Sequence, residues 1–150
     1  MENFRVEESL GHLVAKVHQL FSHYFREKLI AFHLTPPQFG TLAFLWRHDG
    51  ISQVELANRL RKDKNTISEI IDRLEKENLV VRKSSPDDRR LNFVFLTPRG
   101  AGLRETLEKI AIESTLEITA ALEEEERELL RSLLKKILES AGGERTGFEG

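Results

Sequence analysis

The chain has 150 residues, 39% hydrophobic and 32% charged, with a net charge of −2, which suits one soluble domain with room for a few extra helices. The absence of cysteine excludes a disulfide framework, a thiolate nucleophile and a Cys-ligated zinc site. No apolar run approaches the roughly 18 residues needed to span a bilayer. The opening Met1-Glu-Asn-Phe-Arg5 has neither the basic head nor the apolar stretch of a secretory signal, so a cytoplasmic protein is expected.

Leu10, Leu13, Val14, Val17, Phe21, Phe25 and Leu29 recur at spacings of three and four, the stripe of a long amphipathic helix over about 6–31. In Thr35-Pro-Pro-Gln38 the threonine can cap a helix, Pro36 suits its first position and Gln38 can close a capping box. That second helix should run to about Arg47, with Phe39, Leu42, Leu45 and Trp46 inward, and end at His48-Asp49-Gly50. Ser52-Gln-Val-Glu55 is another capping box, opening a short helix whose apolar residues are Val54, Leu56, Ala57 and Leu60. A polar turn near 61–63 leads into a helix over 64–77, in which Ile67, Ile70, Ile71 and Leu74 keep helical spacing.

Two short helices across a tight turn are either a helix-turn-helix or an ordinary helical hairpin. The residues after the second helix bear on that choice. Residues 79–83 and 92–96 read as strands around the turn-rich Ser84-Ser-Pro-Asp-Asp-Arg-Arg90, a hairpin placed where a wing would be. Thr97-Pro98 then starts a long helix with Leu103, Leu107, Ile110 and Ala111 on one face. After a break near Glu123, the wide stripe Leu129, Leu130, Leu133, Leu134, Ile137 and Leu138 needs a partner surface. From Ala141-Gly-Gly143 onward the chain reads as a disordered tail.

Charge is unevenly spread. Residues 1–58 sum to −1 and 101–150 to −5, while 59–100 hold 11 Lys and Arg against 7 Asp and Glu. Local positive charge is what DNA binding requires, because counterion release occurs where cations meet phosphates. An uneven but ordinary charged surface gives the same count. In a helix-turn-helix the front of the second helix reaches base edges. Here that front offers Lys64 for phosphate or guanine, Asn65 for adenine, and Thr66 and Ser68 for phosphates or bases, with Glu69 beside them. Arg73 stands further along for a phosphate. At the hairpin tip, Arg90 can enter a narrow minor groove, held by a bidentate bond from Asp88, with Arg89 and Lys83 serving phosphates. Solvated polar side chains and an exposed ion pair are the plainer reading of the same residues.

Thr35-Pro-Pro-Gln-Phe39, Leu56-Ala-Asn-Arg-Leu60, Asp63-Lys-Asn-Thr-Ile-Ser68, Asp72-Arg-Leu-Glu75, Leu79-Val80, Asp87-Asp-Arg-Arg90 and Leu96-Thr-Pro-Arg-Gly100, in this order, resemble the MarR (multiple antibiotic resistance regulator) family. The resemblance spans roughly residues 8–139. It implies a mainly α fold with a small β-wing: a winged helix-turn-helix DNA-binding region at 34–99, dimerisation helices at 1–33 and 100–140, and a tail at 141–150. It further implies a homodimer on a pseudo-palindromic operator in double-stranded DNA, usually as a repressor. Two recognition helices about 34–36 Å apart would match one DNA turn. Asp88 and Arg90 match the family's wing pair, and Lys64–Glu69 the front of its recognition helix. Glu69 departs, since many members carry a basic residue there; a carboxylate repels phosphate but can accept from cytosine.

Family members commonly release DNA when a small aromatic or anionic effector enters a cleft between the dimerisation and DNA-binding regions. Here His18, Phe39 and Trp46 are candidate lining residues, with helix packing and core as the plainer reading of the same residues. Peroxide sensing through cysteine is excluded. His12, His18, His23, His33 and His48 form no metal-ligand spacing, so no metal or other cofactor is expected. A phosphate loop, nucleophile elbow and metal triad are all missing, so an enzyme is not expected. The competing reading is a winged-helix protein-interaction module without DNA binding, favoured by the acidic total and Glu69 and opposed by Lys64, Arg89 and Arg90.

Overall fold

The computed structural model describes residues 3–141; beyond Ala141, the expected tail lies outside the described residues. Helix α1, Leu10–Leu29, starts where the Ser9 hydroxyl accepts from the His12 N–H at 3.3 Å. Single 3₁₀ turns, Val6–Glu8 and Ile30–Phe32, flank it, so the helix expected over 6–31 is α-helical only in its middle. Helix α2, Pro36–Leu45, has prolines at its first two positions, and Gln38 Oε1 accepts from the Thr35 N–H at 3.0 Å. Gly50 follows with φ of 76°, the left-handed turn expected after this helix.

Beyond Gly50 the structure departs from expectation. Residues Ile51–Ser52 form a short strand, β1, before helix α3, Gln53–Leu60. The Gly50 N–H donates to Val94 O at 3.0 Å, and Asp49 Oδ1 accepts from the Leu96 N–H at 2.7 Å. A loop carboxylate and two residues of strand thus clip the α2–α3 connection to the sheet. Ser52 caps α3 by accepting from the Glu55 N–H at 3.2 Å. The reciprocal half of the expected capping box is replaced, because Glu55 pairs with Arg59 at 3.3 Å instead. Of the apolar residues of α3, Val54 is 45% exposed.

Arg61, in left-handed conformation with φ of 53°, turns the chain into helix α4, Lys64–Lys76. Strands β2, Val80–Ser84, and β3, Asn92–Leu96, come next as the hairpin. The sheet has three antiparallel strands in the order β1-β3-β2, with Val81 opposite Phe95 and Ile51 opposite Val94. The architecture is the expected one, mainly helical with a small β-wing.

The long helix expected from Thr97 is broken at Leu103 into α5, Pro98–Gly102, and α6, Arg104–Ile118. In an unbroken helix the Gly100 carbonyl would accept from the Arg104 amide. It accepts instead from Trp46 Nε1–H at 2.9 Å. Gly100 also lies so close to the residue before β2 that a Cβ there would stand 2.1 Å from Leu79 O. The last helix is α7, Glu124–Ala141. Leu29, Leu42, Leu45, Leu56, Ile67, Ile71, Leu74, Leu79, Val94 and Leu107 form one fully buried core. Among the described residues no helix is long and apolar enough to cross a membrane.

Candidate nucleic-acid interface

Helix α4 buries Ile67, Ile70, Ile71 and Leu74, which turns its other face outward. Lys64, Asn65, Glu69 and Arg73 are exposed there, while Thr66 and Ser68 are half-buried. The cap fixes the front of the helix. Asp63 Oδ1 accepts from the Thr66 N–H at 2.7 Å, and Oδ2 accepts from the Thr66 hydroxyl at 3.0 Å. These bonds, the backbone one foremost, hold the Asp63 carboxyl below the ordinary carboxylate range. They also commit the Thr66 proton, leaving that hydroxyl only its acceptor side for DNA.

A residue outside the expected set ties α4 to the sheet. Arg82 Nη1 donates to Asp72 Oδ1 at 2.6 Å and to Glu75 Oε1 at 2.7 Å. Its Nη2 donates to Ser68 O at 2.9 Å and its Nε to Gln53 Oε1 at 3.0 Å. One guanidinium therefore bridges β2, the start of α3 and two turns of α4, and it faces two carboxylates with a single cation. The signal was present in the alternation of the strand: Arg82 shares a face with buried Val80, so an inward arginine had to find partners.

At the wing tip the Ser85 N–H donates to Leu91 O at 2.8 Å and the Leu91 N–H to Asp88 O at 3.0 Å. Asp88 Oδ1 accepts from the Arg90 backbone N–H at 2.9 Å and from its Nε at 3.4 Å. The expected bidentate grip is therefore a one-oxygen contact, because the two-residue spacing brings the backbone amide to that oxygen first. The Arg90 side chain is 93% exposed. Arg89 is exposed too, and Lys83 Nζ lies 5.1 Å from the centre of the Phe95 ring.

A groove of about 220 Å³ brings the front of α4 and the wing together, lined by Gln53, Val54, Lys64, Arg90 and Asn92. Lys64 and Arg90 share it; Gln53 and Asn92 were not singled out in the sequence. Arg73 is apart, lining a hollow with His33, Gln38 and Lys76 at the other end of α4.

A second cavity, about 240 Å³, lies between α1, the start of α2 and α6. Its lining is His18, Phe21, Ser22, Phe25, Pro36, Phe39, Ala111, Ser114 and Thr115. It unites His18 and Phe39 but not Trp46, which is corrected to a core residue: 9% exposed, bonded to Gly100 O, and 6.0 Å from Phe39 between ring centres.

Residues 34–91 match the family model described as the MarR family. The HTH-type transcriptional repressor NicR of Pseudomonas putida is 34% identical over 137 residues, covering 91% of this chain and 87% of NicR. The organic hydroperoxide resistance transcriptional regulator of Bacillus subtilis is 26% identical over 139 residues, 93% of either chain. Among solved structures, a mutant MarR from Escherichia coli complexed with operator DNA superposes with a TM-score of 0.80 at 30% identity. That match covers 92% of this chain and 99% of the other.

Proposed function

The chain belongs to the MarR family of DNA-binding transcriptional regulators, and from that premise we propose that it represses transcription by gripping a pseudo-palindromic operator as a homodimer. The observation that carries this reading is the groove shared by Lys64 and Arg90. It sets a helix front and a wing tip on one face, as a duplex with adjacent major and minor grooves requires. Lys64 and Asn65 then meet bases and phosphates in the major groove, Ser68 supports them, and Arg90 enters the minor groove. Arg89 and Lys83 face the backbone. Glu69 disfavours phosphate and favours a cytosine amino group, so it bears on operator sequence. Arg73, far from the groove, has at most a flanking phosphate within reach.

The apolar faces of α1 and α7 supply the surface that a second copy covers, placing the two α4 helices about 34–36 Å apart. A small-molecule effector in the second cavity releases the DNA, and the protein acts in the cytoplasm.

The test is an electrophoretic mobility shift with DNA selected from genomic fragments. Retarded DNA at low salt, weakening steeply as salt rises, is the expected result. No binding at low salt would leave a protein-interaction module. Arg90→Ala should weaken operator binding about tenfold or more, in line with the ~1–3 kcal/mol of a specific groove contact. Its circular dichroism should not change. Unaltered affinity would remove the wing from the mechanism.

A further inference from the structure

The groove between the front of α4 and the wing carries more chemistry than its two cations. Gln53 and Lys64, which both line it, are the first residues of α3 and α4. Two helix starts, each the positive end of its helix, therefore border one small space. Lys64 and Arg90 add full charges from the helix and from the wing. No carboxylate is among the described residues that line the groove. The acidic side chains nearest along the chain are engaged elsewhere: Asp63 holds the Thr66 N–H and hydroxyl, and Glu55 pairs with Arg59. Asp88 touches Arg90 Nε at 3.4 Å, yet leaves that side chain 93% exposed.

Gln53 supplies direction. A guanidinium can only donate, so the Arg82 Nε–H that reaches Gln53 at 3.0 Å must meet the amide oxygen there. Arg82 is itself held on Asp72, Glu75 and the Ser68 carbonyl, and it does not line the groove. The oxygen end of the amide is thus turned away from the groove. Nε2, with its two hydrogens, is the end left for it. Among the described residues none accepts from Nε2.

Asn92, from β3, is not oriented in this way: its contact is the Ser84 hydroxyl at 3.5 Å, and a hydroxyl both donates and accepts. Direction in the groove therefore comes from Gln53. A space bordered by cations and N–H donors, with no carboxylate to oppose them, suits an anion. Between a helix in the major groove and a wing in the adjacent minor groove, the anion at hand is the sugar-phosphate strand that divides the two.

We infer that this groove seats one phosphodiester of the duplex, that Gln53 Nε2 donates to an unesterified oxygen of it, and that Arg82 is the positioning residue that holds the amide in that sense. The inference rests on the regulator reading. It gives α3 a contact with DNA, and Arg82 a share in affinity although it touches none.

Gln53→Glu keeps an oxygen for Arg82 and puts a carboxylate oxygen where the N–H donor stood. In a mobility shift with selected operator DNA its affinity should fall at least about tenfold, while thermal melting still reports a folded chain. A glutamine that only satisfies Arg82 would lose nothing by this exchange, so parental affinity in Gln53→Glu overturns the inference. Gln53→Met removes the donor without adding charge, and replaces the glutamate variant if that one does not fold. It should weaken operator and unrelated DNA by the same factor, because phosphates carry no sequence. Its salt slope should match the parent's, because a neutral amide releases no counterion. A changed preference at one base pair would make Gln53 a base reader and overturn the inference. Methylphosphonates placed singly along the operator then locate the phosphate. At one position in each half-site the parent should lose affinity and Gln53→Met should lose nothing further. Additive losses at every position would overturn the seat. A parent chain that shifts no DNA at low salt defeats the regulator reading, whereas one that shifts DNA with no regard to Gln53 defeats this inference alone.

Discussion

In α4 the stripe Ile67, Ile70, Ile71 and Leu74 is at most 7% exposed, whereas in α7 the stripe Leu129, Leu130, Leu133, Leu134, Ile137 and Leu138 is 41–59% exposed. The two helices are written in the same apolar periodicity. What differs is their surroundings. Helix α4 lies against α2, α3 and the sheet, so the chain covers it unaided. Helix α7 follows α6, and among the described residues none covers its apolar face, which stays about half exposed. Helix α1 is intermediate: Leu29 is fully buried, while Leu13, Val14, Val17 and Leu20 are 46–54% exposed. Periodicity therefore gives the direction of an apolar face, and topology decides whether one chain or two will cover it.

The largest test of this contrast is Leu134→Glu with Ile137→Glu. Two carboxylates on the open face should abolish the dimer in analytical ultracentrifugation and leave the winged region folded. Operator affinity should fall about 100-fold or more as the linkage between half-sites is lost. A variant that stays dimeric would break the comparison. Leu74→Ala, on the covered stripe, should cost about 2–5 kcal/mol in urea denaturation without changing the oligomeric state of the folded protein. A cost below about 1 kcal/mol would place that stripe outside the core.

The smallest effect is electrostatic. Asp63 has its carboxyl pKa lowered in the folded protein by the Thr66 backbone N–H and then by the Thr66 hydroxyl. The stability it contributes is fully present above the ordinary aspartate value of about 3.9, and is lost as pH falls through the lowered folded value. Asn is an equally good cap at neutral pH. Asp63→Asn should therefore match the parent at pH 7 in thermal melts and lose part of the parent's decline in acid. Identical acid limbs would assign the acid sensitivity to other carboxylates.

The elements were legible wherever their causes are local. Thr35, Ser52 and Thr97 announce helix starts within four residues, and the buried set of α4 follows from spacing alone. Contacts made across the fold were not legible. Strand β1 is two residues long and exists because Asp49 and Gly50 meet β3 more than 40 residues later. The break at Leu103 goes with the Trp46 indole, one residue past α2, taking a carbonyl of α5. The same indole decides between the two readings of Trp46: a large aromatic beside a cavity and one that seals the core look alike in sequence, and it seals the core. In the candidate site, Lys64 and Arg90 were found through their chemistry. Gln53 and Asn92 were missed because their roles arise only when α3, α4 and the wing are brought together, whereas Arg82 carried a signal in the alternation of its strand.

Gly100 sits at a pivot. It touches the Leu79 backbone on one side and holds the Trp46 indole on the other, and α6 begins two residues after α5 ends. The 15 residues of α6 make an arm about 22 Å long. A tilt of about ten degrees at the pivot swings its far end by about 4 Å, slightly more than the roughly 3.4 Å step between base pairs. A side chain at position 100 would meet Leu79 O at 2.1 Å, so any larger residue there has to shift the point from which α6 leaves the winged region.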